Sequence, residues 1–206
     1  MSKLVNSLIK KGYLKQMRII DAFSEISRYE FMPKDFRLQA EANIAIPIGH
    51  GRMIPDPLTS AVMFELLDPQ EGNEILDVAF GSGWTTALLA YIAGEKGRVV
   101  AVENNEELKK TGKINVEKFG YIRKGIVSFF SENEDASYMT GPVFDRILVS
   151  SIGTEKNIDE LKKHLKVGGK MVVLTDNNLT YFEKKAEDEF EEEKYSSFSF
   201  MAEIKS

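Results

Sequence analysis

Between Glu74 and Thr175 short β-rich runs alternate with helical patterns, and this alternation constrains the fold more than any other feature of the chain. The β-rich runs are Glu74–Ala79, Arg98–Glu103, Gly125–Phe130, Phe144–Ser150 and Gly169–Thr175, and the helical patterns are Trp84–Ala93, Glu106–Phe119 and Asp159–Leu165. Parallel strands must be joined by long crossovers, usually helices, so repeated strand–helix units predict an α/β fold: a doubly wound, mostly parallel sheet with helices on both faces. After Thr175 the pattern changes. Leu179–Glu183 and Tyr195–Ile204 read as two strands of an antiparallel hairpin on the sheet edge, with Phe198 and Phe200 alternating in the second. The acidic segment Glu183–Glu193 that joins them reads as a solvated turn or helix.

Ahead of the sheet, Leu14–Ile26 brings Met17, Ile20, Ala22, Phe23 and Ile26 close together on a helical wheel, and Pro33 closes this helical region. From Asn43 to Pro57 three prolines and two glycines interrupt an apolar stretch, which predicts an irregular, stiff loop. Leu58–Leu67 then reads as a helix opened by Pro57 and stopped at Asp68-Pro69. The chain of 206 residues, 43% of them apolar, is long enough for one full core. We expect a single domain over 1–206: a helical and Pro/Gly-loop addition at 1–57, a ligand-binding core at 58–178 and a hairpin at 179–206.

Composition removes several functions. There is no cysteine, hence no thiol nucleophile and no thiolate metal site, and with His50 and His164 the only histidines no metal centre is expected. His50 reads as a solvent-facing loop residue, and His164 as a partner for the carbonyls at a helix end. The net charge of −5 disfavours a protein whose task is neutralising nucleic-acid phosphates. The start, MSKLVNSLIKKGYLKQ, is too broken by lysines for a signal peptide, and no apolar run approaches a membrane span. A cytoplasmic location and a monomer are expected.

The chemistry is concentrated where the first sheet strand ends, at Asp77-Val78-Ala79-Phe80-Gly81-Ser82-Gly83-Trp84. Glycines at a strand-to-helix turn let the backbone approach a ligand, and the following helix start presents free N–H groups. Glu103, with Asn104 beside it, ends the second strand twenty residues after Gly83, where an acid can bind both hydroxyls of a ribose. A dinucleotide fingerprint would need a third glycine and a phosphate loop a lysine, and neither is present. Asp77 before this turn instead suits a ligand with a cationic amino-acid part and a ribose, as S-adenosylmethionine has. Trp84 either touches that ligand or packs against the N-terminal layer.

The stretch Asp77–Gly83 resembles motif I of class I methyltransferases, with Ala79 in place of the first glycine. Arg28-Tyr29-Glu30-Phe31-Met32-Pro33, Ile46-Pro47-Ile48-Gly49-His50-Gly51 with Ile54 and Pro57, Phe144-Asp145-Arg146-Ile147 and Leu165-Lys166-Val167-Gly168-Gly169 follow the order seen in the protein-L-isoaspartate O-methyltransferases, whose typical segments are R-x-x-F-V-P, L-P-I-G-x-G-Q-T-I-S-x-P, P-F-D-R-I and L-x-x-G-G. The resemblance covers roughly residues 20 to 175. It implies a seven-stranded, Rossmann-like class I methyltransferase sheet and methyl transfer from S-adenosylmethionine to the carboxylate of isoaspartyl residues in damaged proteins. Cofactor contacts are then expected at Asp77, Ala79, Phe80, Gly81, Ser82, Gly83, Glu103 and Asn104, and around the adenine at Glu132 or Asn133.

Departures from that pattern gather at the substrate end. Where the family reads Q-T-I-S this chain has Arg52-Met53-Ile54-Pro55, so a threonine and a serine are replaced by apolar side chains, and Asn43 stands where an acid is common. Ile54, Pro55 and Arg52 are expected nearest the transferred methyl, Arg52 as a guanidinium able to hold a substrate carboxylate. The [N/D]-P-P-[Y/F] signature of base N-methylation is replaced by Ser150-Ser151-Ile152-Gly153. Two other readings stay open on sequence: the same fold methylating a different carboxylate or peptide acceptor, and a catalytically silent cofactor-binding protein.

Overall fold

The computed structural model describes residues 1–131, 140, 143–150, 158–175 and 178–196. The N-terminal layer holds α1 (Lys3–Lys10) and α2 (Met17–Glu25), then two 3-10 turns at Arg28–Phe31 and Lys34–Gln39. The first helix lies outside the sequence expectation; Ser2 caps it by accepting from the Val5 amide. Next come two short strands, β1 (Ile46–Gly49) and β2 (Arg52–Ile54), and α3 (Pro57–Leu67). The segment expected to be irregular is therefore a small antiparallel hairpin, pairing Ile46 with Ile54 and bulged between Pro47 and Gly49. Proline is tolerated here because the ribbon has only two strands, both of them edges. Asp56 caps α3, its carboxylate accepting from the Thr59 amide at 2.9 Å, with Pro57 in the first turn.

The sheet is built from β3 (Glu74–Val78), β4 (Arg98–Val102), β5 (Val127–Phe130), β6 (Phe144–Val149), β7 (Leu165–Leu174), β8 (Asn178–Ala186) and β9 (Glu189–Ser196), with α4 (Trp84–Ala93), α5 (Glu106–Glu117) and α6 (Ile158–Lys163) between strands. Its order is β5-β4-β3-β6-β7-β8-β9. The first five of these strands run parallel, while β8 and β9 are antiparallel, as the alternation predicted. The two-residue period of a strand divides the core. Ile75, Val99 and Leu148 join the larger cluster under α2, α3 and α4, whereas Leu76, Val100 and Ile147 face the smaller one with Leu161 of α6.

The acidic segment is not a turn or helix. Residues 189–193 lie in β9, and only Glu187 and Asp188 separate it from β8. A row of carboxylates on the last strand suits an edge, because charge there blocks pairing with another chain. Phe198 and Phe200 lie outside the described residues. Among the described residues no helix is long and apolar enough to cross a membrane.

Candidate active site

The strand order reverses between β3 and β6, and in open α/β sheets the crevice at the carboxyl ends of strands flanking such a switch is the usual place for a ligand. Asp77 lies one residue before the end of β3, fully buried, with its Oδ2 accepting from the hydroxyls of Thr85 (2.9 Å) and Thr86 (2.7 Å) at the start of α4. Its Oδ1 has no hydrogen-bond partner among the described residues. Burial pushes the Asp77 carboxyl up to about 7, against the pull of the two threonine hydroxyls and with a further upward push from the charge of Glu103.

Ala79, Gly81 and Gly83 all have positive φ, at +59°, +58° and +87°. Ala79 thus occupies a left-handed slot that glycine would fill without strain. Both glycines suit this conformation, and Gly83 is required by packing as well. A Cβ on Gly81 would fall 2.8 Å from Ile48 Cδ1 of the hairpin, and one on Gly83 would fall 2.9 Å from the Gly112 carbonyl of α5. Gly112 is needed in turn, because a Cβ there would meet the Phe80 ring at 2.5 Å. Phe80 itself packs edge-on against Phe129, ring centroids 5.0 Å apart. The turn therefore uses its glycines to seat α5 and the hairpin, a role that spacing along the chain does not display.

Glu103, also buried, lies just past the end of β4 and ties it to this turn: Oε2 accepts from the Gly81 amide and Oε1 from the Asn105 amide, both at 3.1 Å. A carboxylate has about four lone-pair sites, so each oxygen retains acceptor capacity. Asn104 is exposed beside it, before the N-cap Asn105 of α5. Glu132 and Asn133 lie outside the described residues; Ser131, just before them, is buried and its hydroxyl donates to Glu106 at 3.0 Å.

Opposite the turn lies the hairpin. Met53, Ile54 and Pro55 line a narrow, open cleft together with Ala79, Phe80, Ser82, Trp84, Thr85 and Ser150. Arg52, half-buried, is not among the residues lining this cleft. What fixes the hairpin is Arg28. Its buried guanidinium donates to the carbonyls of Ile44 (2.8 Å), Pro55 (2.9 Å), Ile54 (3.3 Å) and Ala42 (3.4 Å). Burial lowers its pKa to about 10, with nearby Asp56 acting in the opposite sense. Asn43 serves α3, accepting from the Leu58 amide at 2.8 Å. His50, at the hairpin tip, is not merely solvent-facing: its Nε2 lies 2.9 Å from Glu107 of α5. Trp84 is buried, donating from Nε1 to the Ile26 carbonyl at 3.2 Å and packing edge-on against Phe23, so the N-terminal layer holds it. Asp145 and Arg146 are architectural: Asp145 accepts from the Glu74 amide at 2.8 Å, and Arg146 donates to the Asp68 carbonyl at 3.0 Å.

Comparison with known proteins agrees with this geometry. The family model for Protein-L-isoaspartate(D-aspartate) O-methyltransferase (PCMT) matches residues 1–205. A protein-L-isoaspartate O-methyltransferase of Methanopyrus kandleri is 37% identical over 171 residues, 83% of this chain and 74% of that one. One of Flavobacterium psychrophilum is 32% identical over 203 residues, 97% of this chain and 92% of that one. Among solved structures, a Plasmodium falciparum protein described as a protein-L-isoaspartate O-methyltransferase in complex with S-adenosyl-L-homocysteine aligns with TM-score 0.79 over 94% of this chain and 93% of that one; at 17% identity it speaks for the fold alone. The chain belongs to the protein-L-isoaspartate (D-aspartate) O-methyltransferase family.

Proposed function

We infer that this protein transfers a methyl group from S-adenosylmethionine to the carboxylate of isoaspartyl residues in proteins, acting as a monomer on protein or peptide substrates and not on nucleic acid. The observation that carries the reading is the pair of buried acids at the switch point: Asp77 with an unpartnered Oδ1 and Glu103 with acceptor capacity left on both oxygens. An orphaned, buried carboxylate oxygen suits a cationic ammonium, and Glu103 suits two vicinal hydroxyls, so the residues present fit this cofactor. Asp77 and Glu103 would hold its two ends, the backbone of Ala79, Phe80, Gly81, Ser82 and Gly83 would line it, Asn104 would lie at its edge, and Glu132 or Asn133 would meet the adenine.

When bound, S-adenosylmethionine supplies an electrophilic methyl carried on a sulfonium. The acceptor carboxylate is ionised at neutral pH and needs no general base, consistent with the lack of a histidine in the cleft. Its oxygen lone pair would accept that methyl, with the bonding pair left on sulfur. What the chain must provide is alignment and exclusion of water, and such positioning can lower a barrier by on the order of 7–11 kcal/mol in favourable cases. Arg28 immobilises the hairpin that bears Ile54 and Pro55, and Trp84 closes the side of the cleft. Arg52, outside the cleft lining, would meet more distant parts of a peptide.

The test is transfer of labelled methyl to an isoaspartyl peptide beside its aspartyl twin, scored as base-labile ester. Ester on the isoaspartyl peptide alone is expected. Ester on neither peptide would overturn the reading and direct the search to another acceptor.

A further inference from the structure

The wall of the cleft supplied by the hairpin is apolar, formed by Met53, Ile54 and Pro55. A carboxylate entering a dry cleft loses its hydration and must find a hydrogen-bond donor there, since an unpaired buried charge is costly. Three hydroxyl-bearing residues line the cleft with this wall: Ser82, Thr85 and Ser150. The Thr85 hydroxyl is engaged by Asp77. Ser82 belongs to the glycine turn, on the side assigned above to the cofactor. Ser150 is different. It follows the last residue of β6 directly across the switch point, where Val149 pairs with Val78, and its own amide donates to the Val78 carbonyl at 3.3 Å. The residue is 5% exposed, and its place beside β3 is fixed by its own backbone. A hydroxyl that lines a cleft and is held by a strand end is a preorganised donor.

We propose that the Ser150 hydroxyl donates a hydrogen bond to the acceptor carboxylate and so sets where the acceptor lies, a task for which Pro55 on the facing wall has no donor. The proposal rests on the carboxylate-methylating reading above. It carries a kinetic signature. Transfer neutralises the carboxylate, so a hydrogen bond to it is stronger before transfer than during it; Ser150 therefore contributes to acceptor binding more than to the chemical step.

The experiment compares wild type with Ser150→Ala, Ser150→Thr and the double variant Ser150→Ala/Pro55→Ser, measuring kcat and KM for an isoaspartyl peptide and, separately, affinity for S-adenosylhomocysteine. Ser150→Ala should raise the peptide KM roughly tenfold or more, in keeping with loss of one hydrogen bond to a charged group, with kcat within about threefold and S-adenosylhomocysteine affinity unchanged. Ser150→Thr, which keeps the donor, should retain most of the peptide affinity, and Pro55→Ser, which adds a donor to the opposite wall, should recover part of what Ser150→Ala loses. A peptide KM within twofold of wild type in Ser150→Ala overturns the inference. So does a parallel fall in S-adenosylhomocysteine affinity, which would place Ser150 on the cofactor side or in the architecture. Failure of the wild-type protein to esterify the peptide overturns the isoaspartyl reading itself, and is read before any variant is compared.

Discussion

Asp77 is the residue whose chemistry and stability conflict most directly. Burial lifts its pKa from 3.8 to about 7, so the folded protein holds a proton that the unfolded chain releases. Stability from this group is fully present below about pH 4 and is lost as pH rises towards 7, a total effect on the order of 4 kcal/mol. Asp77→Asn removes the titration and keeps a side chain of the same shape. The advantage in unfolding free energy of the variant over wild type should therefore grow by on the order of 2 kcal/mol between pH 5 and pH 8, while its affinity for S-adenosylhomocysteine falls at least tenfold. Denaturant titrations at the two pH values check this; a difference independent of pH would mean that Asp77 is not the buried acid described here. Asp77 and Glu103 were legible in the sequence because strand ends are legible, and an acid at each end of two neighbouring parallel strands has few structural explanations. Gly112 and Ser150 were not. Gly112 looks like any residue of a helical pattern, and its necessity lies in the Phe80 ring across space. Ser150 reads as the last residue of a strand, at the place of a signature this chain lacks, and the apolar hairpin lining the same cleft is what gives its hydroxyl a meaning.

The hairpin formed by β1 and β2 has almost no core of its own and depends on Arg28, whose guanidinium gathers carbonyls from four residues between Ala42 and Pro55. The resemblance marks Arg28 as the first residue of the R-x-x-F-V-P segment, but its role as a clamp is not legible there, because every acceptor is backbone. The planar fork matters, since a lysine offers a point charge and cannot reach the same set of oxygens. Arg28→Lys should cost about 2–4 kcal/mol of global stability, from hydrogen bonds of a charged donor lost and carbonyls left unsatisfied. Amide exchange over 42–55 should rise more than exchange in β3 or β4, which separates a loosened hairpin from a protein weakened throughout; uniform acceleration would contradict the clamp. The same blindness to long-range partners explains why the acidic segment read as a turn or helix and not as a strand. β9 presents carboxylates at Glu189, Glu191 and Glu193, and Lys185 bridges to Glu191 at 2.7 Å across the hairpin. With Phe190 and Tyr195 its only apolar residues, the strand period is hidden under charge, and a solvated segment is what such a composition suggests.

At the scale of the whole molecule, the alternation between Glu74 and Thr175 sufficed to predict the sheet, since helical crossovers and parallel strands leave few topologies. It said nothing of how the first 57 residues attach. They do so through Trp84, the only tryptophan of the chain, which stands at the start of α4 and is held from the N-terminal side by Phe23, the Ile26 carbonyl and Arg28, the last 5.5 Å from its ring centre. The larger core cluster runs without a break from Val5 and Phe23 through Phe64 to Leu148 and Val172, so the N-terminal layer and the sheet share apolar contacts that neither can satisfy alone. A chain organised in this way should unfold as one unit. Trp84 fluorescence reports the junction and far-ultraviolet circular dichroism reports the helices and sheet; in urea the two should give the same midpoint and slope. Saturation with S-adenosylhomocysteine at about a hundred times its Kd should move both transitions together by about 2.7 kcal/mol. A fluorescence transition that precedes the dichroism transition would instead mean that residues 1–57 detach while the sheet persists. In that case the cleft between Pro55 and Ser150 is assembled only when the layer docks, and cofactor, which binds the docked form, should shift the earlier transition more than the later one.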